Sequence, residues 1–219
     1  MSIAENIEKI LSEVPEGITV VAAAKTRTIE EIQQAISAGI KIIGENYVNE
    51  AIEKFRIFGK TVEWHLIGHL QTNKIKQAID IFDMIETLDS LKLADKLNKE
   101  MEKLKRKMPV LIEINSGQEE NKNGILPEDI EEFMGKISCF EYVEVLGLMT
   151  MGPAVKNLED IRPFFRLTRE ILEKISRKNP PNIKMKYLSM GMSDTYKIAI
   201  EEGANIIRIG SLIFGPRRE

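Results

Sequence analysis

Short apolar or β-branched runs alternate with longer amphipathic ones along almost the whole chain, and this alternation restricts the fold more than any other feature. It is the pattern of repeated parallel βα units, in which buried strands read as continuous apolar runs and their crossover helices carry a 3.6-residue period. Strands are read at 18–24, 40–44, 63–68, 84–88, 110–115, 143–149, 186–190 and 205–209. Helices are read at 29–37, 48–58, 74–79, 91–106, 127–137, 158–176 and 195–201, after a first amphipathic helix in MSIAENIEKILSEV. Capping signals agree: Thr28 precedes Glu30 and Glu31, and Ala38-Gly39 closes the same helix.

Eight such units can form an open doubly wound sheet or a closed barrel. An open nucleotide-binding sheet carries its glycine-rich turn after the first strand, whereas here Ala24 is followed by Lys25, Thr26 and Arg27. The glycines gather instead after the last two strands, in Met190-Gly191-Met192-Ser193 and Ile209-Gly210-Ser211, where TIM-type barrels frequently bind phosphate. No Pro/Gly/Ser-rich linker divides the chain. The expected fold is therefore α/β, one (β/α)8 TIM-type barrel domain over residues 1–219 with an additional N-terminal helix.

Charge and composition narrow the partners. A net charge of −3, with 31 basic against 34 acidic residues, offers no attraction to nucleic acid or to anionic membranes. The basic stretch Lys103, Lys105, Arg106 and Lys107 ends a helical segment, where cations suit the dipole, and reads as a solvated face. Cys139 is the single cysteine, excludes an intrachain disulfide and is expected as a small core residue. The N-terminus lacks the basic start and apolar run of a signal peptide, and no segment reaches membrane-spanning length. A cytoplasmic address is expected.

In a barrel the chemistry sits at the C-terminal strand ends. Lys25 follows VVAAA, and alternation puts it on the face of Val21 and Ala23. If that face is the lumen, desolvation favours a neutral amine able to form an imine with an aldehyde; otherwise the lysine simply reaches to solvent at a strand end. Backbone N–H groups at Gly210 and Ser211, with Ser193 opening the helix after strand seven, could receive a phosphate; equally, the glycines could mark tight barrel turns. Closure puts this anion site beside Lys25, which suits either pyridoxal phosphate or a Schiff-base aldolase acting on a sugar phosphate. Arg208, a guanidinium in NIIRIG, needs a partner: a pyridine nitrogen, or a carboxylate such as Glu45. His65 and His69 are the only histidines. They do not share a helical face or an acidic ligand set, so no metal is expected, and His65 is assigned a hydrogen bond within the barrel mouth.

The segments VVAAAKT, GENYVNE, EWHLIGHLQTNK, LGLMTM, LSMGMSDT and IIRIGSLIFGPR, in this order and spacing, make the chain resemble the pyridoxal phosphate homeostasis protein family from about Val20 to the C-terminus. The resemblance implies a barrel similar to the N-terminal domain of alanine racemase, monomeric or weakly associating, with pyridoxal 5'-phosphate held as a Schiff base on Lys25. It further implies that Asn46 faces the cofactor, Arg208 meets the pyridine nitrogen, and Ser193, Gly210 and Ser211 hold the phosphate, with Met192 lining the pocket. Ala24 stands where many relatives have serine, at a position expected to point away from the lumen. INSGQEENKNG differs among relatives, so Asn115 receives no role.

Alanine racemases add a C-terminal β domain that supplies a second catalytic group; with four residues after Gly215 in this sequence, no such domain is expected. An arginine at the pyridine also weakens the ring as an electron sink. The function implied is therefore non-enzymatic: buffering, carrying or delivering pyridoxal phosphate and related B6 vitamers, with cofactor-dependent apo-enzymes as transient partners. An amino-acid racemase or a Schiff-base aldolase is the alternative.

Overall fold

In a computed structural model, which describes residues 2–178 and 182–216, eight parallel strands close into a barrel in sequence order. They are β1 Thr19–Ala23, β2 Ile42–Glu45, β3 Glu63–Leu66, β4 Met84–Leu88, β5 Met108–Glu113, β6 Val143–Met149, β7 Ile183–Ser189 and β8 Ile206–Ile209. Closure is made by β8 pairing with β1 over Thr19–Ile206 to Ala22–Ile209. The helices are α1 Ile3–Glu13, α2 Ile29–Ser37, α3 Val48–Phe58, α4 Ile75–Ile81, α5 Leu91–Lys103, α6 Ile130–Ile137, α7 Arg162–Lys178, α8 Tyr196–Glu201 and α9 Ser211–Phe214.

Strand alternation divides the core in two. Val21, Ile42, Ile67, Met84, Leu111, Met149 and Ile206 fill the lumen, with Ala23 and Tyr187 packed against them. The opposite strand faces, including Ala22, Ala24, Ile43, Trp64 and Ile207, join the inward stripes of the helices in a larger outer core. Ala24 thus points away from the lumen. Its neighbour Lys25 follows Val21 and Ala23 round to the lumenal side, as the period of two requires.

Several boundaries move for identifiable reasons. The segment read as one helix over 158–176 is a 3-10 turn, Leu158–Ile161, followed by α7. Pro163 has no N–H to give and falls in the first turn of α7, where none is needed. β7 begins three residues ahead of its reading, because Lys184 and Lys186 stand on the solvent side of a strand whose other face is covered. Cys139 is exposed, a correction to the core assignment: α6 ends at Ile137, which takes the last buried position. α1 packs against α2 and α9 and fixes the latter through Asn6 Nδ2, which donates to the Ile213 carbonyl at 3.0 Å. Among the described residues no helix is long and apolar enough to cross a membrane.

Candidate cofactor site

At the C-terminal mouth of the barrel lies a cavity of about 530 Å³, in the range of small-ligand pockets. Its wall includes Lys25, Asn46, Met192, Ser193, Arg208, Gly210 and Ser211. Seven of the eight residues singled out from the sequence are therefore brought together. The eighth, His65, is buried behind them on β3 and does not line the cavity.

Lys25 is half-buried, and its ammonium donates to Tyr47 Oη at 3.2 Å while lying 4.8 Å from the centre of that ring. Tyr47 is exposed, as are Met151 and Met192, so the mouth has an apolar rim. Asn46 is placed by a close approach of two turns. A side chain on Gly68 would come within 2.4 Å of the Asn46 carbonyl oxygen, so the turn after β3 passes against Asn46 only with glycine there.

The cavity wall also includes a turn linking β7 to α8. Gly191 sits at φ +91, and a side chain there would meet Ala199 Cβ at 2.5 Å. Its carbonyl accepts the Arg208 N–H at 3.0 Å, which joins this turn to β8. Ser193 does not open α8 as expected; α8 begins at Tyr196, with Thr195 before it. The Ser193 hydroxyl instead crosses to the neighbouring turn and accepts the N–H groups of Gly210 at 3.2 Å and Leu212 at 3.3 Å. Hydroxyl and amides converge on one corner, next to Ser211.

Arg208 is 4% exposed, and Glu45, the alternative partner for it, is not the group it meets. Glu45 is engaged elsewhere, by Lys54. Arg208 Nη1 donates to Ser189 Oγ at 2.6 Å and Nη2 to the Thr150 carbonyl at 2.9 Å. Ser189 Oγ donates in turn to Glu86 Oε2 at 2.5 Å, and Glu86 Oε1 lies 2.7 Å from His65 Nδ1. Burial would raise the Glu86 carboxyl, but the hydrogen bond and charge of His65, with Arg208 and Ser189, outweigh it and hold it below the usual range. An ionised Glu86 only accepts, so His65 Nδ1 carries the proton. Burial lowers Arg208, opposed by Glu86 and Glu113, yet a guanidinium retains its charge.

Ser189, Glu86 and Thr150 were not singled out as partners of Arg208. The signal for the first two was present: Ser189 follows Tyr187 and Glu86 follows Met84 by two residues, on the lumenal face of their strands. Glu113 follows Leu111 in the same way and is 8% exposed. Burial, with Asp89 nearby, pushes its carboxyl up to about 7, against Arg208 and His69. Arg27, also on the cavity wall, was passed over as well. It donates to the carbonyls of Phe214, Gly215 and Pro216, tying the strand-one loop to the end of α9.

The model of the alanine racemase N-terminal domain matches residues 1–218. A pyridoxal phosphate homeostasis protein of Aquifex aeolicus is 43% identical over 197 residues, covering 90% of this chain and 86% of that protein. This chain belongs to the pyridoxal phosphate homeostasis protein family. The structure of PipY from Synechococcus elongatus with pyridoxal phosphate bound superimposes with a TM-score of 0.90 at 30% identity, over 98% of this chain and all of PipY. Alanine racemase of Clostridium difficile, in complex with cycloserine, shares the barrel at a TM-score of 0.82 and 18% identity. This chain covers 60% of that racemase, and the likeness is one of fold.

Proposed function

We propose that this member of the pyridoxal phosphate homeostasis family binds pyridoxal 5'-phosphate at the barrel mouth and buffers, carries or delivers it without catalytic turnover. The observation that carries the reading is the convergence, round one cavity, of an amine, a corner of hydroxyl and amide donors, and a buried guanidinium fixed from behind. These residues fit the cofactor. Ser193 with the Gly210, Ser211 and Leu212 backbone suits a phosphate; Arg208 suits a pyridine nitrogen, to which it donates without giving up its proton; Asn46 and Met192 border the ring between them. His65 acts at one remove, holding Glu86 and through Ser189 the direction of Arg208.

When bound, the cofactor supplies an aldehyde that can be held as a Schiff base. Lys25 would be the residue that holds that aldehyde, through its side-chain nitrogen. Arg208 would meet the ring nitrogen as a permanent donor, an arrangement that racemases tolerate but that suits storage better than general amino-acid chemistry. Relatives of this chain bear the name of homeostasis proteins, in keeping with a carrier. We read the protein as a cytoplasmic monomer that takes up the cofactor, and related B6 vitamers, and yields it to apo-enzymes.

The test is reduction with borohydride after loading, followed by peptide mapping. A phosphopyridoxyl group on Lys25, absent in Lys25→Ala, is expected; a loaded protein with Lys25 unmodified would refute the covalent tether. Turnover of an amino acid that disappears in Lys25→Ala would refute the non-enzymatic reading.

A further inference from the structure

Behind the loop that carries Lys25 lies a second lysine that the cofactor cavity does not use. Lys54, on α3, is 6% exposed. Its ammonium donates to the Ala24 carbonyl at 2.8 Å and to Glu45 Oε1 at 2.5 Å, and Glu50 Oε2 lies 3.7 Å away. Glu50 Oε2 also accepts the Thr26 N–H at 3.0 Å. One ion cluster therefore holds the backbone on both sides of Lys25: the carbonyl before it directly, the amide after it through Glu50.

The loop needs that hold. Thr26 has φ +63, a left-handed conformation that a β-branched residue keeps only when its surroundings impose it. The Arg27 N–H shares the Ala24 carbonyl at 3.0 Å, so the turn is drawn tight round the same oxygen. The cluster is a poor device for stability alone. Burying two charges costs much of what their attraction returns, and Glu45 Oε2 is buried without a hydrogen-bond partner. What the cluster does define is direction. α3 grips the backbone beside Lys25 with Lys54, and Tyr47, at the start of the same helix, meets the Lys25 ammonium.

We infer that Lys54 is a positioning residue for Lys25: by gripping the main chain on either side, it aims the Lys25 amine into the cavity and sets how much bound cofactor is held covalently. The inference rests on the reading of Lys25 as the cofactor's tether. Lys54 touches only protein, and Lys25 needs no help from it to remain in the structure. Losing the grip should therefore leave the phosphate corner and Arg208 intact, and lower covalent holding more than total binding.

The experiment loads wild type, Lys54→Met, the charge-balanced Glu45→Gln/Lys54→Met pair and Glu50→Ala with pyridoxal phosphate. It reads the fraction of bound cofactor that borohydride traps on Lys25, and separately the hydrogen exchange of the Thr26 amide without cofactor. Trapping should fall about tenfold in Lys54→Met, the scale of one charge-assisted hydrogen bond, and about threefold in Glu50→Ala, with faster Thr26 exchange in both. Should Lys54→Met fail to fold, the balanced pair and Glu50→Ala decide, since the Glu50 side chain is one-third exposed and is not part of the core. A wild type that traps nothing overturns the reading of Lys25 and the clamp with it. Trapping in wild type, equalled in the folded variants, overturns the clamp alone.

Discussion

Arg208 is held from behind before any ligand meets it. Its guanidinium is fixed by Ser189 and the Thr150 carbonyl, and Ser189 is fixed by Glu86. Arg208→Met would leave Glu86 ionised and short of a cation in a fully buried place. Unfolding experiments should register a loss of about 3 kcal/mol, and the cofactor's absorbance should change if the ring nitrogen faces this residue. Glu113 gives the second prediction at this scale. Its carboxyl is raised from 4.5 to about 7, so the folded state favours the protonated form. The stability this confers is fully present below pH 4.5 and is lost as the pH climbs to about 7. Glu113→Gln removes the dependence: relative to wild type it should gain up to about 3 kcal/mol across that window, measured by denaturant unfolding at each pH. A constant difference between the two proteins would show that Glu113 is not raised.

At the scale of elements, the site is an agreement between the first and last units of the barrel. β1 and β8 are neighbours only because the sheet closes, and Arg27 then binds the loop after one to the helix after the other. Arg27 is 7% exposed, and cation–π contact with Phe214 adds to its three carbonyl bonds. α9 is too short to be stable unaided, so its position depends on such ties and on α1. Arg27→Met is expected to lower stability by about 2 kcal/mol and to weaken cofactor binding severalfold, because the amides of Gly210 and Leu212 shift with α9. Equilibrium titration of the cofactor, run beside thermal unfolding, distinguishes this from a purely local loss.

For the whole molecule, a ligand that joins β1 to β7 and β8 should stabilise the closed barrel as a unit. At a concentration one hundred times its dissociation constant, binding adds about 2.7 kcal/mol. For a chain of this length that corresponds to a rise in Tm of roughly 5–10 °C in a thermal scan. Lys25→Ala should lose most of the rise, since only the non-covalent contacts remain. Size-exclusion of the loaded protein should return a single chain.

The barrel, its strand count and the placement of Lys25 were legible in the sequence, because strand periodicity and glycine position are local signals. Seven of the eight residues singled out from the sequence line the cavity: Lys25, Ser193, Arg208, Gly210 and Ser211 from strand ends and glycine turns, Asn46 and Met192 from the family resemblance. Other features were not local. Whether Arg208 meets Glu45 or Ser189 depends on strand register round the closed sheet, since residues 19 positions apart in the chain become neighbours only through β7 and β8. Ser193 was read as starting a helix and instead bonds across to the next turn, a choice set by how two loops meet. Cys139 lies two residues past the end of α6 and is exposed, although the helix end itself falls where the sequence places it. Local pattern thus determined the elements and the side of the barrel on which chemistry sits. Closure of the sheet decided which polar groups find one another, because a buried charge must take the partner that geometry provides.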